Sequence, residues 1–183
     1  MENKDLNADS LSEAQKDMGV GYGYGSIGVF VSGSVWLVSS LTAYFYSFQQ
    51  AVWVLMIGGV FIFPLATLMG KLIGIKGQHS KNNPLGKLAM EGTIWMIMCI
   101  PLAYGLSLNN IGWFFQGMMM IVGGRYLTFA SLYGTRLYWM LGGALGLAAY
   151  SLFTMKVEAD ISSLVGGLIE ILFSFIIYSS HKK

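Results

Sequence analysis

Six apolar stretches fill most of this chain, at 26–46, 51–70, 87–106, 111–132, 137–153 and 161–178. Each has about the length, roughly 20 residues, that carries an α-helix across a hydrocarbon core of ~30 Å. In lipid every backbone N–H and C=O must find a partner within the protein, so such stretches become helices. Charged residues make up 11% of the 183 residues, against roughly 25% in a soluble domain. The sequence therefore predicts an all-α, polytopic membrane bundle of six transmembrane helices. The domain plan is a polar cytoplasmic tail over 1–25, the membrane domain over 26–178 and a short basic cytoplasmic tail over 179–183, with the glycine-rich stretch 20–28 as a flexible lead-in to the first helix. No cleavable signal is expected before the first span.

Lysine and arginine set the orientation. With six spans, one side holds Lys4, Lys16, Lys71, Lys76, Lys81, Lys87, Arg136, Lys182 and Lys183, and the other holds only Lys156. That asymmetry predicts a multi-pass protein of the cell inner membrane with both termini cytoplasmic. The sixth span is the weakest of the six, because Glu170 sits in its middle.

An internal repeat organises the spans. Ser32-Gly33-Ser34-Val35-Trp36 resembles Glu91-Gly92-Thr93-Ile94-Trp95, and each is followed by an Ala-Tyr pair, Ala43-Tyr44 and Ala103-Tyr104. A tryptophan follows each turn, Trp53 and Trp113, and then a glycine pair, Gly58-Gly59 and Gly123-Gly124. A fainter third copy runs through Thr135, Trp139, Ala149-Tyr150 and Gly166-Gly167. The pattern predicts three tandem helical hairpins with pseudo-threefold symmetry, and Trp36, Trp95 and Trp139 at a common depth. The glycine pairs suit close helix packing in lipid, and a glycine-rich helix face could also join copies into a homo-oligomer.

Three ionisable residues fall inside spans: Glu91, Arg125 and Glu170. A charge at the bilayer centre costs at least ~2.5–3.5 kcal/mol, so such residues usually face protein and mark function. Glu91 and Arg125 lie at similar depth and are expected to approach each other, either as a structural clamp or as a gate. Glu170 has no basic residue in its own span, so it is protonated, paired with Arg125 or a cation site. The repeat aligns Ser32, Glu91 and Thr135, each four residues before a tryptophan and so on its face of the helix. These three, with Trp95, are the candidates for a polar layer in the cytoplasmic half.

Other motifs carry less. Val20-Gly21-Tyr22-Gly23 resembles a potassium filter, but no pore helix precedes it. Gly23, Gly25 and Gly28 match a dinucleotide fingerprint, but no strand precedes them. Cys99 and the run Met118-Met119-Met120 point in several directions, so no metal site is expected. A net charge of +2 implies no nucleic-acid partner, and no cofactor is expected. No HExxH and no intramembrane aspartate pair occurs, which argues against familiar intramembrane protease chemistry.

Gly25-Ser26-Ile27-Gly28, Asn83-Pro84-Leu85-Gly86 and Gly123-Gly124-Arg125-Tyr126-Leu127-Thr128-Phe129 carry a resemblance to a family of uncharacterised bacterial integral membrane proteins. The resemblance covers roughly 25–153. It implies a bacterial inner membrane and no particular activity. Three function classes remain. A small transporter or channel for an ion or small solute comes first. A non-transporting structural or regulatory subunit comes second. A membrane-embedded enzyme acting on lipid comes third. A polar cavity favours the first, a tightly packed bundle the second, and a lateral opening beside Glu170 the third.

Overall fold

The computed structural model describes residues 8–181, so Lys4, Lys182 and Lys183 of the charge asymmetry lie outside the described residues. Seven α-helices follow in order: α1 (Ala8–Tyr22), α2 (Ser26–Phe45), α3 (Phe48–Leu72), α4 (Leu85–Ser107), α5 (Gly112–Tyr133), α6 (Leu137–Thr154) and α7 (Ala159–His181). Local sequence sets several boundaries. Ser47 caps α3 by accepting from the Gln50 amide at 3.2 Å, the usual role of a serine at that position. Asn83 and Asn110 accept from the Leu85 and Gly112 amides at the starts of α4 and α5. Gly134, with φ of 64°, ends α5 in the left-handed conformation that glycine adopts without strain.

Five stretches of the described residues are long and apolar enough to cross a membrane: Ser10–Phe45, Phe48–Leu72, Leu85–Ser107, Leu137–Thr154 and Ala159–His181. The chain is a multi-pass, all-helical membrane protein. The remaining long helix, α5, carries Gln116 and Arg125 and is lined with buried residues, among them Phe114, Phe115, Met119 and Tyr126. It faces other helices, so lipid does not demand that it be apolar.

Packing runs as a ring with one gap. α3 lies on α2, α2 on α7, α7 on α6, α6 on α5 and α5 on α4. α3 and α4 make almost no direct contact; near one end the rings of Trp53 and Tyr104 stand 6.3 Å apart. The glycine pairs trace this ring. A methyl group on Gly167 would stand 2.8 Å from Leu37 and 3.1 Å from the Gly33 carbonyl, so this pair lets α7 close on α2. One on Gly142 would stand 2.6 Å from the Gly123 carbonyl, so α6 and α5 meet backbone to backbone. One on Gly59 of α3 would meet nothing within 4 Å. Gly123 and Gly167 therefore sit in packed seams, whereas in the third pair Gly58 packs on α2, where a methyl would stand 2.5 Å from Val35, and only Gly59 faces open space.

The tryptophans expected at a common depth do not share an environment. Trp36 is 2% exposed, Trp95 48% and Trp139 60%. Trp36 packs on Gly166 and on Phe115, with ring centroids 6.4 Å apart. Helix α7 covers it, and nothing comparable covers Trp95 or Trp139.

Residues 8–25, just before α2, form a helix and a tight turn in place of the flexible lead-in that the sequence predicts. α1 packs against α5 and α4, with Met18 buried. A tight turn, Gly23–Gly25, then joins α1 to α2. Gly25 has φ of 74°, and a methyl there would come 2.5 Å from the Tyr138 hydroxyl. That hydroxyl donates to the Tyr24 carbonyl at 2.7 Å, and the Tyr24 ring stacks on His181 at 3.8 Å. α1 also clasps the loop before α4. Asp17 accepts from the Ser80 amide at 2.9 Å and from Asn83 Nδ2 at 2.8 Å, and the Gly77 amide donates to the Gly21 carbonyl at 2.9 Å.

The two hydrogen bonds from Asn83 and Ser80 hold the Asp17 carboxyl below its ordinary range. A depressed folded-state value means that the clasp is at full strength above the ordinary aspartate range and weakens as pH falls through the lowered value. Exchange of the Ser80 amide with solvent should therefore accelerate in that acid window beyond its intrinsic pH trend. Asp17→Ala should exchange fast at neutral pH and lose the extra acid dependence. Equal protection in both proteins would show that Asp17 does not hold the clasp.

Candidate functional site

The open seam leads into a cavity of about 430 Å³ walled by α2, α3, α4 and α5, within the roughly 300–1,000 Å³ range of small-molecule sites. Tyr22 and Gly77 stand at its α1 end, and Trp36, Leu55 and Met118 at its deep end. The walls are mainly aliphatic and aromatic, broken by Ser32, Thr93, Arg125 and Tyr126. Among the described residues Arg125 is the only charged side chain that lines it. Arg125 lies eight residues before the end of α5, about 12 Å along the axis at 1.5 Å per residue.

Arg125 is held by weak partners. Its Nη2 donates to Thr93 Oγ1 at 3.0 Å and its Nη1 to the Met96 sulfur at 3.4 Å. The guanidinium carbon stands 5.3 Å from the centre of the Phe129 ring, within cation–π range. Its buried Nε has no acceptor. The expected approach of Glu91 is not found. Residues two apart on a helix point some 200° apart, so α4 turns Thr93 toward Arg125 and leaves Glu91 exposed.

Glu170 lies behind the cavity wall, fully buried on α7. Gly33 of α2 makes room for it: a methyl there would stand 3.0 Å from the Glu170 Cβ. Ser32, Tyr126 and Arg125 are the polar groups that act on the carboxyl, yet neither of its oxygens has a partner in good hydrogen-bond geometry. Ser32 and Tyr126 also line the cavity, so they form the partition between it and Glu170. Of the sequence candidates, the fold thus brings together Ser32, Arg125 and Glu170. It leaves Glu91, Thr135 and Trp95 outside the lining. Thr135 accepts from the Leu137 amide at the start of α6 at 3.4 Å, and the Trp95 ring rests on Gly124.

Sequence reasoning missed Thr93, Met96, Tyr126 and Phe129. A signal existed for the last two: Tyr126, Phe129 and Tyr133 recur at helical spacing around Arg125. These three rings form one cluster with Tyr138, with neighbouring centroids 5.4 to 5.9 Å apart. Gln116 was missed too. It crosses to α7 and the preceding loop, donating to Ser162 at 3.2 Å and to the Val157 carbonyl at 3.0 Å.

These features define a class: a multi-pass helical membrane protein with an arginine-bearing cavity between its helices. Residues 11–180 match DUF7010, a family of unknown function, and the chain belongs to that family. The match takes in most of α1 and nearly all of α7, beyond the stretch that carried the resemblance in the sequence. No match was found among curated proteins or among solved structures.

Proposed function

We propose that this protein is a small transporter of the bacterial inner membrane, with the α3–α4 cleft as its solute site. The observation that carries the reading is Arg125, a charged group in an aliphatic cavity without a carboxylate in contact. A charge kept at such cost is a functional group by default. We read α5 as a membrane span too, shielded by its neighbours and bringing the count to six, and both termini as cytoplasmic. On that reading Tyr22 and Gly77 mark the cytoplasmic mouth. The three hairpins then form a ring, and the seam between α3 and α4 is the moving part. α4 closes on Gly59, the open member of its glycine pair, as α2 is packed on Gly167. Glu91, Thr135 and Trp95 take no part in binding.

Solute flux into proteoliposomes, comparing wild type with Arg125→Gln, tests this. The reading expects flux of an anionic or polar solute that depends on Arg125. An absence of flux across a broad panel would favour a non-transporting subunit.

A further inference from the structure

The cavity combines three properties that together restrict its occupant. It is walled mainly by hydrocarbon, with Gly59 and Phe63 of α3 facing Met96 and Ile97 of α4. It opens sideways, because α3 and α4 do not pack together along their lengths. Its one charged lining residue among those described is a cation whose Nε lacks an acceptor and whose other partners are a hydroxyl and a thioether. A wholly polar anion would satisfy the arginine but leave the walls without a partner. A neutral hydrocarbon would do the reverse. Guanidinium groups pair in fork geometry with carboxylates and phosphates.

We propose that the ligand is an amphiphilic anion, a carboxylate or phosphate head on an aliphatic body, which enters from the lipid between α3 and α4. The head meets the Arg125 guanidinium, taking over from the Thr93 hydroxyl and the Met96 sulfur as its acceptor. The body lies along the cavity between α3 and α4, where a methyl group added to Gly59 of α3 or to Gly28 of the α2 wall would meet nothing within 4 Å. This inference rests on reading the cleft as the solute site and names the class of solute. It also explains the gap in the ring, since a tailed ligand needs a slot rather than a closed pore.

The test uses the full chain in nanodiscs of zwitterionic phospholipid, read by native mass spectrometry. The probes are dodecyl phosphate, dodecanoate, dodecanol and inorganic phosphate. One copy of dodecyl phosphate or dodecanoate should remain bound. Its retention should fall by at least about tenfold in Arg125→Gln, the loss expected when a charge-assisted hydrogen bond is removed. Gly59→Phe, which keeps Arg125 and fills the slot, should lose it as well and serves if Arg125→Gln fails to fold. Dodecanol retained as well as dodecyl phosphate would overturn the proposal. So would inorganic phosphate bound as tightly as the tailed anions, which would point to a soluble anion. Retention unchanged in both variants would also overturn it. Amphiphile binding without flux would uphold this inference and remove the transport reading; flux of a soluble anion without amphiphile binding would do the opposite.

Discussion

Replacing Arg125 by glutamine should cut flux by at least about tenfold while leaving the bundle folded. Hydrogen bonds to a charged group contribute about 1.5–3 kcal/mol, and each ~1.4 kcal/mol is a factor of ten in binding. Glutamine keeps a donor for Thr93 and a similar stem but removes the charge and the fork. Little stability should be lost, because Arg125 holds no carboxylate. Thr93 also keeps its own hydrogen bond to the Ala89 carbonyl at 2.9 Å. Thermal unfolding measured beside flux separates the alternatives. A lowered midpoint with normal flux would make Arg125 a brace between α4 and α5 rather than a ligand for solute.

The second large effect contrasts two glycines. Gly142→Leu should destabilise the protein strongly. Overpacking costs typically about 1–3 kcal/mol, and here the obstacle is the Gly123 carbonyl at 2.6 Å and Leu127 at 2.7 Å, of which the backbone cannot rotate away. Gly59→Leu should leave the midpoint unchanged or slightly raised, since glycine costs a helix about 1 kcal/mol relative to alanine. It should nevertheless reduce flux, because its side chain enters the cleft. Equal destabilisation by the two changes would mean that α3 is packed in the membrane against a surface that this fold does not contain.

Helical membrane character was legible from apolar block length alone, because a bilayer admits few alternatives. The glycine pairs and tryptophans read as a repeat in the sequence, but Trp36 is buried in the fold where Trp95 and Trp139 are exposed. Which seam stays open was not legible, because Gly58-Gly59 and Gly166-Gly167 look alike as sequence and differ only in what the third dimension sets opposite them. Arg125 and Glu170 stood out as ionisable residues in apolar runs. The partner of Arg125 was misassigned. Depth along the axis matches Glu91 to Arg125, while rotation about α4 selects Thr93 and Met96. α1 reads as a tail in the sequence because its composition is polar. Its docking rests on Met18 and on a few side-chain bonds to a loop more than sixty residues away, which no local pattern announces.

The central claim is that α3 and α4 bound a cleft whose seam must move. It is tested most directly by linking the two walls. In a Cys99→Ser background, cysteines replace Gly59 and Ile97, which line the cleft from α3 and α4. A disulfide needs Cα atoms about 4.4–6.8 Å apart, so it reports closure of the seam. The account predicts that oxidation forms the bridge, stops flux and that reduction restores it. A bridge that leaves flux at its reduced level would contradict the account.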